Sequence, residues 1–170
     1  ARGVRCWSDF LRYLGPEYRD AAQLRQRAQL RLPRVLAGVS RLPLINTRAG
    51  RRLLWTLLLW IERAIPTDRW VDALIASQQP DVVLVTPLVD LGSDQIDYIK
   101  SARAQGVRTG LCVHSWDNLT NKGLIRLLPD RVYLWNELPK REAVEMHGMP
   151  AEHVVVTGAP VYDQWFARTP

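Results

Sequence analysis

The sequence is short of cysteine, of lysine and of glycine-rich signatures, and each shortage removes a class of protein. Its two cysteines, Cys6 and Cys112, lie far apart. A disulfide-stapled secreted scaffold needs a denser set, so that class is excluded and the pair fits a reducing compartment. Cys112 sits in an apolar run and reads as a small core residue. The longest apolar run, Leu53 to Ile61, is interrupted by Thr56. It is half of the ~20 residues that a membrane-spanning helix needs. Neither a Walker sequence nor G-x-G-x-x-G occurs, and there is no zinc-finger spacing, RNP-like aromatic strand or clean helix-turn-helix. Nucleic acid is therefore not an expected partner. His147 and His153 have no Cys or carboxylate partners in register, so they read as structural and no metal is expected. Repeats, low-complexity stretches and linkers are missing too. What remains is a chain of 170 residues with 47% apolar and 24% charged side chains, ordinary for a domain with a sizeable core.

Charge is unevenly placed. The chain carries a formal +6 from 23 basic and 17 acidic side chains. Residues 1–70 hold fourteen Arg, no Lys and five acids, a net +9, and residues 71–170 a net −3. A basic helical face points to phosphate, nucleic acid or an anionic membrane surface. The plain alternative is a solvated Arg-rich face.

The first third reads as helix. Val4, Trp7, Phe10, Leu11 and Leu14 recur at three- and four-residue steps, and Gly15-Pro16 ends the stripe. A weaker Arg/Gln-rich helix spans about 18–32, and Pro33 opens a short third one. The fourth, about 47–65, is the most apolar, with a narrow polar stripe of Arg52, Thr56 and Arg63. Such a helix is either buried on most sides, the commoner outcome, or lies in a membrane interface. Thr67 or Asp68 caps a fifth helix that ends before Gln79-Pro80. From residue 80 the pattern changes to four short apolar runs, Val82–Thr86, Val107–Val113, Val132–Trp135 and Val154–Thr157. Helices over 94–105 and about 139–147 separate the first pair and the last pair. Continuous Val/Leu runs alternating with helices predict an α/β fold, a Rossmann-like parallel sheet of about four strands covered on both faces, preceded by an all-helical segment. Residues 1–66 form that helical segment, part of the same domain, and 67–170 the α/β half.

Ligands of an open parallel sheet bind beyond the carboxyl ends of its strands. Of the loops there, His114 to Gly123 is the richest. It offers the imidazole of His114, the hydroxyls of Ser115 and Thr120, the indole of Trp116, the carboxylate of Asp117, the amides of Asn118 and Asn121 and the ammonium of Lys122. His114 or Asp117 suits general acid–base work on a sugar hydroxyl, and Lys122 suits phosphate or an acceptor. Against this stands simple turn capping by Asp117, Asn118 and Asn121. Ser115 lacks the glycines of a nucleophile elbow. Glu137 lies in a helix's first turn, where it also suits the macrodipole.

Two stretches resemble a family. Val154-Val155-Val156-Thr157-Gly158-Ala159-Pro160-Val161-Tyr162-Asp163 is similar to the strand-turn-helix that closes the N-terminal half of GT-B-fold proteins. Those include UDP-N-acetylglucosamine 2-epimerases, lipid-A-disaccharide synthases and teichoic-acid glycerophosphotransferases. Ser115-Trp116-Asp117-Asn118-Leu119-Thr120 with Lys122-Gly123, followed by Pro129-Asp130-Arg131-Val132 and Trp135-Asn136-Glu137, resembles bacterial surface-carbohydrate glycosyltransferases of that fold. The resemblance covers about residues 80–166. It implies two Rossmann-like domains around a cleft, the first binding the acceptor and the second, expected beyond this sequence, binding a nucleotide-sugar donor without a metal or other cofactor. Gly158 and Asp163 enter as binding residues through the first motif. Ser115, Trp116, Asn118, Thr120, Lys122 and Glu137 enter through the second, beside His114 or Asp117, which the loop's own chemistry offers as the catalytic base. The implied function is the acceptor-side domain of a glycosyltransferase of cell-surface polysaccharide or glycolipid biosynthesis. Its acceptor would be a sugar or a lipid-linked sugar, and its location cytoplasmic, peripheral at the inner membrane face. An epimerase or glycerophosphotransferase on the same scaffold, and a non-enzymatic basic module that docks on an anionic membrane or a partner, remain open. The sequence opens at Ala1 inside an amphipathic pattern and stops just after Trp165-Phe166, which reads as an internal piece of a longer protein, inactive alone.

Overall fold

A computed structural model describes residues 1–40 and 42–166, so the last four residues of the 67–170 segment lie outside the described residues. Five helices come first: α1 (Arg2–Arg12), α2 (Ala22–Leu30), α3 (Arg34–Val39), α4 (Arg48–Ala64) and α5 (Arg69–Gln78). The α/β part then runs β1 (Val82–Val85), α6 (Ile96–Ala104), β2 (Arg108–Cys112), α7 (Asn118–Asn121), β3 (Arg131–Leu134), α8 (Glu137–His147), β4 (Val154–Val156) and α9 (Asp163–Phe166). Local chemistry sets the boundaries. The Thr47 hydroxyl caps α4 by accepting from the Gly50 N–H at 2.9 Å. The Asp68 carboxylate caps α5 through Trp70 and Val71, and Asn136 caps α8 through Leu138. Gly148, with φ of 72°, supplies the left-handed stop of α8.

The four strands are all parallel in the order β1-β2-β3-β4, the α/β architecture that the Val/Leu runs imply. That order corrects the expectation of two covered faces. When every strand is laid down on the same side of its predecessor, right-handed crossovers place every connecting helix on one face. Val85, Leu111, Val113, Val132, Leu134 and Val154 accordingly pack with Ile96, Ile99, Leu119 and Ala143 in one core. On the opposite face Val82, Leu84 and Val155 are exposed. Cys112 lies on that face, half-buried rather than in the core. Gly110 also lies on that face, where a Cβ would stand 2.6 Å from Leu84 Cδ2 and 3.1 Å from Tyr133 Cε2, so a larger residue would require the exposed Leu84 side chain to turn away.

The N-terminal helices stack outside the helical layer. Here α1 is buried on nearly all sides and carries a charged stripe inward. Arg5, wholly buried, donates to both carboxylate oxygens of Glu62 at 3.1 Å and pairs with Asp94 at 3.3 Å and with Asp97. Asp9, also wholly buried, pairs with Arg126 and accepts from the N–H groups of Gly92 at 2.7 Å and Leu124 at 2.9 Å. Charges out of water persist only when every partner is in place. The Arg12 guanidinium donates to the carbonyls of Leu119, Lys122 and Gly123.

Helix α4 departs from the commoner expectation of burial. Leu58 is 2% exposed and Glu62 is buried, but Leu53 is 70% exposed and Trp60 66%, with Leu57 and Ile61 beside them. These four side chains form one stripe at helical spacing, flanked by the exposed Arg48, Arg52 and Arg63. The reason lies in α1: the inner face of α4 must deliver Glu62 to Arg5, so its larger apolar face points out. Among the described residues no helix is long and apolar enough to cross a membrane.

Candidate functional site

The segment from His114 to Gly123 leaves the carboxyl end of β2 and, rather than staying an open loop, folds into the single turn of α7. The Asp117 carbonyl accepts from the N–H groups of Thr120 at 3.2 Å and Asn121 at 3.1 Å, and from the Thr120 hydroxyl at 3.0 Å. Its carboxylate accepts from the Ser115 hydroxyl at 2.6 Å and from the Asn121 side-chain amide. The Ser115 hydrogen bond in particular holds the Asp117 carboxyl below the usual carboxylate range. A carboxylate so held is a weaker base and a firmer turn organiser.

His114 is different. It is exposed, and no group among the described residues pairs with its ring. It opens into a cleft of about 480 Å³ with Ser115, Thr86, Trp135, Pro160 and Tyr162. Four strand ends contribute to this cleft: Thr86 follows β1, His114 and Ser115 follow β2, Trp135 follows β3, and the turn carrying Pro160 and Tyr162 follows β4. Trp135 and Tyr162 meet edge to face, their ring centres 5.6 Å apart and their planes at 89°. An apolar trough of about 380 Å³ on the bare sheet face, lined by Leu84, Cys112, Tyr133 and Gly158, shares Cys112, Val113, Trp135 and Pro160 with the cleft. The two form one continuous depression.

Lys122 does not join His114. Its ammonium pairs with Asp90 at 3.3 Å in a separate cleft beside the loop after β1. Its carbonyl accepts from Arg12 at 3.2 Å and from the Tyr13 hydroxyl. Asn118 is buried, its N–H donating to the Ser115 carbonyl at 3.2 Å. The Thr120 carbonyl accepts from the Tyr18 hydroxyl at 3.0 Å. Trp116 is exposed and lines neither cleft. Glu137 pairs with Lys140 at 3.6 Å along α8. Gly158 takes φ of 80° in the turn after β4, and Asp163 opens α9 in solvent.

So the structure brings His114 and Ser115 together with two aromatic rings, sets Asp117 behind them as their support, and sends Lys122 elsewhere. Sequence reasoning missed Trp135 and Tyr162 as cleft walls. Both were in view as members of the resemblance motifs, one residue beyond β3 and six beyond β4. His147 is a core histidine. Its Nδ1 accepts from the Ile125 N–H at 3.2 Å, which leaves Nε2–H to donate to the Leu119 carbonyl at 2.7 Å. Among the described residues no cluster of three or more His, Cys, Asp or Glu could hold a metal ion.

No family model matches this chain, and no curated protein or solved structure shows significant similarity to it.

Proposed function

We propose that this chain is the acceptor-side half of a GT-B-type glycosyltransferase that acts on a cell-surface polysaccharide or glycolipid acceptor, with the nucleotide-sugar donor bound by a second domain. The observation that supports this reading best is the unpaired His114 imidazole standing beside Trp135 and Tyr162 at the carboxyl edge of the sheet. A sugar ring presents flat C–H faces that pack on aromatic rings and hydroxyls that need a polar partner. An acceptor stacked on Trp135 or Tyr162 would bring a hydroxyl to the imidazole, and general-base removal of its proton would raise its nucleophilicity toward the donor's anomeric carbon. Asp117 and Ser115 hold the loop that carries His114. The test is nucleoside diphosphate release from a panel of UDP-, GDP- and CDP-linked sugars by the complete protein. His114→Ala should lower turnover by about 10²–10⁴ fold while the thermal midpoint stays put. Undiminished release by that variant would remove His114 from the chemistry and this reading with it.

The outward stripe of α4 favours a second, compatible reading, peripheral docking on an anionic bilayer from the cytoplasmic side. Leu53, Leu57, Trp60 and Ile61 would enter the headgroup boundary, while Arg48, Arg52 and Arg63 meet lipid phosphates. Co-sedimentation with vesicles containing phosphatidylglycerol, lost in Trp60→Glu and absent with phosphatidylcholine alone, would support it. Equal recovery with both lipids, or in both proteins, would count against it.

A further inference from the structure

The cleft that Lys122 enters has a different character from the His114 cleft and shares no lining residue with it. It measures about 430 Å³ and lies where α1, α2 and the loop after β1 meet. Its cations are Arg2 from the first position of α1, Arg27 from α2, Arg31 just past the end of α2, and Lys122. Its carboxylates are Asp90 and Asp94. Those two are already engaged, Asp90 with Lys122 at 3.3 Å and Asp94 with the buried Arg5 at 3.3 Å. The three remaining guanidiniums have no carboxylate partner among the described residues. Arg2 and Arg31 are exposed and make no hydrogen bond or ion pair there. Arg27 donates to the Asn121 carbonyl, but its Nε is buried with no partner.

Three guanidiniums without carboxylate partners leave one concavity with an excess of positive charge. A ligand that complements it is negative and rich in acceptor atoms. Guanidinium forks match the paired oxygens of a phosphoryl group better than they match a point charge. The volume exceeds that of one phosphate and falls in the range of small-molecule sites. We infer that the cleft formed by Arg2, Arg27 and Arg31 binds a phosphoryl ligand of the pyrophosphate or phosphate-monoester class. The inference does not rest on the glycosyltransferase reading, because the two clefts share no residue.

Inorganic pyrophosphate titrated into the chain at low ionic strength, followed by amide chemical shifts, tests it. The backbone amides of Leu91 to Asp94 should move, saturably. Arg2→Gln and Arg31→Gln should each weaken binding by about tenfold or more, the usual scale for a charge-assisted contact. Both side chains are exposed and make no hydrogen bond or ion pair among the described residues, so both variants should fold normally, which the unperturbed remainder of the spectrum would show. A second arm locates the source of the phosphoryl group. Co-sedimentation with phosphatidate vesicles that pyrophosphate competes away and Arg31→Gln abolishes assigns a lipid headgroup. Pyrophosphate binding without vesicle binding through these residues assigns a soluble phosphorylated ligand. Shifts that spread without saturating, or affinity unchanged in both variants, would overturn the proposal.

Discussion

His147 makes the acid stability of this fold a measurable quantity. The side chain is buried, and its ring spans two backbone groups, Ile125 N–H and Leu119 C=O, as the neutral tautomer. Burial away from water, with the Arg12 charge as a lesser influence, pushes its pKa down to about 3 from the ordinary 6.5. Between those two values the unfolded chain binds a proton at this residue and the folded chain does not. Stability therefore falls as pH drops through 6.5 and continues to fall until about pH 3. The slope from this one group is about 1.4 kcal/mol per pH unit, so near pH 4.5 the fold has lost about 2.7 kcal/mol relative to neutral pH. That is a large share of the roughly 5–15 kcal/mol that holds a domain together. Urea denaturation followed by tryptophan fluorescence at steps from pH 7.5 to 4 reads the slope. His147→Gln keeps a neutral donor and acceptor but cannot titrate, and it should flatten the curve by close to one proton's worth across that range. Parallel curves for the two proteins would show that His147 takes up its proton in the folded state as readily as in the unfolded one, and would refute the reasoning.

Two further outcomes follow from the buried charges and from α4. Asp9→Asn should destabilise by about 3–5 kcal/mol, because it strands the buried Arg126, and the double variant with Arg126→Met should recover much of the loss in thermal unfolding. A double variant no more stable than Asp9→Asn would show that the Asp9 contacts to Gly92 and Leu124 matter more than the ion pair. On α4, Leu58→Asp should cost several kcal/mol and its neighbour Leu57→Asp should change stability by no more than about 0.5 kcal/mol, since one side chain is buried and the other exposed. Equal losses in a melting experiment would contradict the orientation of the helix.

The strands and most helices were legible because their signals are local. Runs such as Val82-Val83-Leu84-Val85 and stops such as Gly148 act within a few residues, and the structure places the four strands and helices α4, α5, α6 and α8 within a residue or two of where these signals put them, whereas α2 starts at Ala22, four residues later than its Arg/Gln-rich pattern suggests. Sidedness was not legible. A buried parallel strand and one with a bare face both read as continuous apolar runs, and only the strand order decides between them. The candidate site divides in the same way. The polar loop from His114 to Lys122 stood out by composition, but its partition between two clefts depends on Trp135, Tyr162, Arg2, Arg27 and Arg31, which come from elsewhere in the chain. The arginine excess of residues 1–70 was the one sequence trace of the second cleft.

Helix α1 shows what periodicity leaves out and why that matters for the loops. Its apolar residues and its polar residues both recur at helical spacing, Val4, Trp7 and Leu11 in one stripe, Arg5, Ser8, Asp9 and Arg12 in another. Read alone, the second stripe belongs in water. It is buried because its partners, Glu62, Asp97, Arg126 and the carbonyls around residues 119–123, arrive from distant parts of the chain. The arrangement ties the strand-end loops to α1 by directional bonds. Asp9 holds the N–H of Gly92 on the loop after β1 and that of Leu124 beyond α7, while Arg12 holds three carbonyls at the end of α7. Gly92 itself, with φ of 70°, lies so close to α1 that an added Cβ would stand 2.4 Å from Cys6 Sγ. Directional bonds from one rigid helix thus set the positions of both strand-end loops, and with them the lining of the arginine cleft and the base of the His114 loop. Loosening α1 would disturb both clefts before it exposed the sheet's own core, because Val85, Leu111, Val132 and Leu134 are covered by α6 and α8 independently of it.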